Sequence, residues 1–370
     1  MNRRVADSYK ILDENERALL ADLRAQALEH DINFEPKFFV QATALGRWPG
    51  EDAVDAVTRV RGELGDPHLS YLPELSQRGF QATTLARTIA TFEGLEADGT
   101  SAGWRINSGF SQESQWARHT FASDINVLAD VIGKESAKPR ELKIQFVGPL
   151  SLSAQLYLTN GERVLSDVGA RRDVRDSLIA GLEDQLKSLR EAAPGAKLIV
   201  QFDELDMVSI LEGTIATSSG YRTLRALRPH EVHENFDVLT QAVRQQNAQP
   251  VINVGQQVVP VSFLQPFEAV AQSVQGYKDS DWEKIAALVE AGQRLWLATV
   301  NPHAKQSVRT LVDSIFGPWR RVGLPAAQLS QISLTESASL EHCSPAHATA
   351  VLAHLTETAT ALSETAQNSE

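Results

Sequence analysis

The chain has 370 residues, 42% hydrophobic, with a single cysteine and a formal net charge of −12. That length suits one large α/β barrel or two ordinary domains. The acidic balance without a Lys/Arg run argues against a nucleic-acid partner, and one cysteine excludes an intramolecular disulfide. No apolar stretch reaches the ~20 residues of a membrane span. The polar start, residues 1–14, lacks the apolar core of a signal peptide, so a cytoplasmic protein without a membrane partner is expected.

Residues 1–36 read as an N-terminal helical extension. Ile11, Leu19, Leu20, Leu23 and Leu28 recur near helical spacing, a pattern that either caps a barrel end or lets the chain form a homo-oligomer. Residues 38–45 predict a strand ending at Gly46-Arg47-Trp48-Pro49-Gly50, and 104–106 a weaker one. Residues 142–147 predict a strand ending at Gly148-Pro149. Over 167–190, Val174, Leu178, Leu182, Leu186 and Leu189 share one helical face, and Pro194-Gly195 stops the helix. Strands are expected at 198–202, 250–254, 258–263, 294–300 and 331–335, and helices at 231–246, 281–291, 303–322 and 345–363. The polar end frays beyond Ala361, with 366–370 as a free tail. Eight strands alternating with helices over 37–365 imply a parallel sheet closed into a (β/α)8 TIM barrel. A doubly wound sheet would want a glycine-rich first turn, and Gly46–Gly50 contains Trp and Pro instead.

In such a barrel the active site lies just past the C-terminal ends of the strands. Gln201-Phe202-Asp203-Glu204 places two acids there. Paired carboxylates hold an ammonium, take up a proton or orient the N–H groups of a heterocycle. Acids at this place also serve simply to start a helix.

Several segments resemble the catalytic barrel of cobalamin-independent methionine synthases. Val200 to Leu205 is similar to that family's "QIDEP" strand end, with Leu205 for proline. Val147-Gly148-Pro149-Leu150-Ser151-Leu152 is similar to its "GP(V/L)T" segment, and Ala44-Leu45-Gly46-Arg47-Trp48-Pro49 to its "IGSFP" segment. Leu72 to Gly79 and Gly103-Trp104-Arg105 look like segments of the short single-barrel members, in the broader uroporphyrinogen decarboxylase-like group. The resemblance implies methyl transfer from 5-methyltetrahydrofolate or a corrinoid to homocysteine, as in methionine biosynthesis. The expected partner is then a small molecule, an amino-acid thiol or a folate. Asp203 would contact the substrate amino group or the pterin, with Glu204 in support. Gly46, Arg47 and Trp48 would line the substrate's carboxylate end; Arg47 replaces a small serine, and Trp48 could stack on a flat ligand.

The family also implies zinc held by His, Glu and two Cys. The matching positions here are Asn253, Gly255 and Ala338, and the Glu ligand has no convincing counterpart. Asn, Gly and Ala supply neither imidazole nor thiolate. No bound metal or cofactor is therefore expected, and a methylated folate would enter only as substrate. His342, Cys343 and His347, near Glu336 and Glu341, form an alternative cluster, although Ser344-Pro345 reads more simply as a helix start. Two functions follow: a divergent methyltransferase, or a non-catalytic pseudoenzyme barrel that binds a small ligand or regulates. A decarboxylase-like use of Arg47 and Arg78 on substrate carboxylates is a third.

Overall fold

The computed structural model describes residues 39–369. The chain divides by its contacts into residues 1–37 and 38–370; the expected helical extension lies outside the described residues. In the second unit a parallel sheet is built from β1 (Gln41–Ala42), β2 (Ser70–Tyr71), β5 (Glu141–Val147), β6 (Lys197–Asp203), β7 (Ala248–Gly255), β8 (Ala269–Ser273), β9 (Arg294–Val300) and β10 (Ile332–Glu336). Its order is β1-β10-β9-β8-β7-β6-β5-β2. The two end strands meet as well: Leu69 N–H donates to Ala42 O (3.0 Å), Glu74 N–H to Gly46 O (3.0 Å) and Trp48 N–H to Glu74 O (2.8 Å). This is an α/β fold of the (β/α)8 barrel type, with helices between the strands.

Side-chain alternation sorts every strand into two faces. Leu142, Ile144 and Phe146 of β5, and Leu198, Val200 and Phe202 of β6, join the large core beneath the helices. The opposite parity packs a small apolar layer inside the barrel: Leu69, Ile199, Val251, Ala269, Ala271 and Trp296. The helix Val168–Ala192 starts where Asp167 accepts the Ala170 amide (2.9 Å) and buries Val174, Leu178, Leu182, Leu186 and Leu189. Each such leucine contributes about 2 kcal/mol of burial.

Four elements differ from expectation. Residues 258–263 are not a strand: Pro260 opens a short helical turn, Val261–Leu264, and β8 follows it. The residues of β8 that face inward, Ala269 and Ala271, are small because Trp296 fills the space beside them, so the strand lacks the bulky pattern that betrays one. Residues 104–106 belong to an antiparallel hairpin, β3 (Glu96–Thr100) with β4 (Gly103–Asn107), outside the barrel. The strand that completes the barrel is β2, only two residues long. The last helix, Pro345–Gln367, runs past Ala361 and into the tail, because Leu362 and Ala366 are buried and Ser363 Oγ accepts the Val40 amide (2.9 Å).

Candidate functional site

Polar residues of inward parity collect at the C-terminal mouth. On β6, Gln201 and Asp203 follow Ile199 at period two, so all three face the interior. Gln201 Nε2 donates to Asp203 Oδ1 (2.7 Å) and to Leu45 O (2.9 Å). From the neighbouring strand, Asn253 Nδ2 donates to the same Asp203 oxygen (2.8 Å). Asp203 is partly accessible and is thus gripped from two sides. Burial and the nearby Glu74 nonetheless push its carboxyl up to about 6.

Beneath Asp203 lies Lys143 of β5, which is fully buried. Its Nζ donates to Gln201 Oε1 (2.8 Å) and lies over the rings of Tyr71 (5.0 Å to centroid) and Trp296 (5.8 Å). Burial lowers its ammonium to about 8, against the opposing pull of Asp203, Glu336 and Glu74. Glu336 arrives through a β-bulge. The register of β10 against β9 shifts between Thr335, opposite Ala298, and Glu336, opposite Val300. Both thereby match positions of inward parity, the re-aiming that bulges provide. Glu336 Oε1 accepts the Leu45 amide (2.8 Å), and burial raises its carboxyl to about 7. Glu74 accepts the Thr84 hydroxyl and faces Arg87 at 3.9 Å.

Glu204 has a different setting. Its two oxygens accept the Leu150 (3.0 Å) and Ser151 (2.7 Å) amides at the start of the helix Pro149–Gln155. A Cβ on Gly148 would come within 2.4 Å of it, so the Gly148-Pro149 turn is shaped around this carboxylate. Burial lifts Glu204 to about 7 despite those amides. Only Asp203 of the pair joins the mouth cluster.

The Gly46–Trp48 turn is committed to closing the barrel. Gly46 O and the Trp48 amide both bond Glu74 backbone atoms, and Gly46, at φ +130°, leaves room for the Gln145 side chain. The Trp48 ring is buried in the core and cannot stack on a ligand. Arg47, its side chain 48% exposed, pairs with Glu341 (3.4 Å). Arg78 makes a two-pronged pair with Asp124 (2.8 Å for each bond). Both arginines expected to grip substrate carboxylates therefore have acidic partners already.

The positions that would hold zinc do not fit it. Asn253 uses its amide N–H on Asp203 and its carbonyl on the Gly255 amide (3.0 Å), and Gly255 and Ala338 carry no donor side chain. His347 Nε2 lies 2.7 Å from Pro302 O, His342 is exposed, and burial raises the Cys343 thiol. Among the described residues no group of three His, Cys, Asp or Glu could hold a metal ion, and no helix is long and apolar enough to cross a membrane.

Lys143 and the mouth role of Glu336 are what sequence reasoning missed. The signal for Lys143 was available: Leu142, Ile144 and Phe146 alternate with Lys143 and Gln145, and in a parallel barrel buried on both faces the polar set has only the interior to occupy.

With this geometry in hand, comparison with known proteins places the fold. No family model and no curated protein matches the chain. Among solved structures it is similar to a B12-independent methionine synthase from Shewanella sp. W3-18-1, in complex with selenomethionine, at 10% identity and a TM-score of 0.53, over 88% of this chain and 98% of that one. It also matches a beta-N-acetylhexosaminidase at 12% identity and a TM-score of 0.49, over 95% of this chain and 79% of that one. The likeness is one of fold: the chain belongs with the (β/α)8 barrels, a class whose enzymes work at the C-terminal mouth.

Proposed function

We propose that the mouth of this barrel performs methyl transfer to a small thiol, from a methylated folate or corrinoid, without a protein-bound metal. The observation that carries the reading is Asp203, oriented by Gln201 on its own strand and by Asn253 from the next. Asn253 stands where the resemblance puts a zinc ligand, and here it serves the carboxylate instead. With a folate donor, the thiol gives its proton to the Asp203 carboxylate, the sulfur–methyl bond forms as the nitrogen–methyl bond breaks, and the departing amine takes up a proton. A carboxyl at about 6 is ionised at neutral pH yet basic enough to accept that proton.

The test is methionine formation from L-homocysteine and 5-methyltetrahydrofolate by EDTA-stripped protein, read by mass spectrometry. Loss of a positioned base costs about 10²-fold or more, so Asp203→Asn should fall by that factor. No methionine from the unaltered chain would sink the reading. The alternative, a barrel that binds a small ligand without turning it over, would then be preferred.

A further inference from the structure

Methyl transfer as proposed above does not use Lys143. A structural lysine at the centre of a barrel needs a carboxylate in contact, because an ammonium left without full hydrogen bonding in a dry interior is costly. Lys143 forms no contact ion pair among the described residues and makes one hydrogen bond, to Gln201. Its surroundings are the faces of Tyr71 and Trp296. Those ring faces attract an ammonium, but one hydrogen bond leaves it poorly solvated, and the neutral form of such a desolvated lysine is a nucleophile.

The groups that such a nucleophile requires stand around it. The Tyr71 hydroxyl, Glu336 Oε2 and Glu74 Oε1 are buried oxygens without a hydrogen-bond partner among the described residues. Asp203, Glu336, Glu74 and Arg87 are the charged groups that act on Lys143. Gln201 bridges Lys143 to the partly exposed Asp203. With Glu336 protonated and Lys143 neutral, as the reaction requires, Asp203 and Glu74 face Arg87 alone, which disfavours an anion.

We propose that Lys143 condenses with a small uncharged aldehyde or ketone to form an imine, an activity separate from methyl transfer and independent of it. The Nζ lone pair forms the N–C bond as the carbonyl π pair moves to oxygen. That oxygen takes a proton from the Glu336 carboxyl, and the nitrogen gives one to the Asp203 carboxylate. The carbinolamine hydroxyl then takes back the proton held by Asp203 and leaves as water while the nitrogen lone pair closes the C=N bond, and the iminium N–H proton returns to the Glu336 carboxylate. Amine and carbonyl become imine and water, with no oxidant or reductant. Burial supports the scheme by lowering Lys143 to about 8 and keeping Glu336 protonated up to about 7.

The experiment is reductive trapping. The full chain is treated with glycolaldehyde and cyanoborohydride at neutral pH, and the modified lysines are mapped by peptide mass spectrometry over time. Lys143 should be labelled about tenfold or more faster than the exposed Lys187 and Lys197. Lys143→Arg should lose that label alone. Labelling of Lys143 no faster than of Lys187 and Lys197, or none, overturns the proposal, and the unaltered chain decides this even if the variant does not fold. Neither folate nor thiol is present, so failure here leaves the methyl-transfer reading standing, and the converse also holds.

Discussion

Glu336 shows how the mouth cluster ties function to stability. Its carboxyl is pushed from 4.5 up to about 7 by burial, so the native state holds a proton that the unfolded chain has released. Stability from this group is therefore fully present at low pH and is lost as pH rises from about 4.5 through about 7. Asp203 acts in the same direction between about 4 and 6. Lys143 acts in the opposite one: lowered from 10.5 to about 8, it makes the native state gain stability as pH rises between those values. Glu336→Gln keeps an acceptor for the Leu45 amide and removes the titration. Denaturant unfolding should show the decline between pH 5 and 7 flattened in this variant, by at most about 3 kcal/mol for a shift of that size. An unchanged pH profile would mean that the carboxyl is not buried as described.

At the scale of elements, close backbone approach explains why the long helix sits where it does. Gly181, inside the helix Val168–Ala192, faces the Thr91 carbonyl so closely that a Cβ there would lie 1.4 Å from the oxygen. Gly181→Ala must push the helix off its seat and should cost about 1–3 kcal/mol, read as a lowered melting temperature. Gly133→Ala is the control. It lies in the helix Gln112–Lys134 with nothing within 4 Å, and should gain about 0.5–1 kcal/mol. Equal shifts in the two would contradict the packing. Elements of this kind were the most legible in the sequence: the Val174–Leu189 stripe and the apolar run of β9 have one reading each. The less legible ones were those whose residues answer to a distant neighbour. Ala269 and Ala271 are small for the sake of Trp296, and Ser70–Tyr71 is a strand only because β5 lies beside it.

For the whole molecule, the barrel class could be read from alternation and spacing, whereas the site could be read only in part. Asp203 stood out because the segments around it resemble a known family's strand ends, since an acid pair after a strand is common by itself. Glu204 looked equivalent in the sequence, and only three-dimensional placement gives its oxygens to the Leu150 and Ser151 amides. Lys143 and Glu336 come together from β5 and β10, 193 residues apart in the chain by their numbers, and a bulge that no local pattern announces turns Glu336 inward. The mouth gathers carboxylates, amides and an amine, with Asn253 bonded to Asp203 at the position where the resemblance implies a metal ligand. Elemental analysis of the purified protein, with and without excess zinc, tests that picture most directly. Zinc should stay far below one per chain in both samples; one tightly held zinc per chain would contradict that picture and direct attention to a site built from other residues.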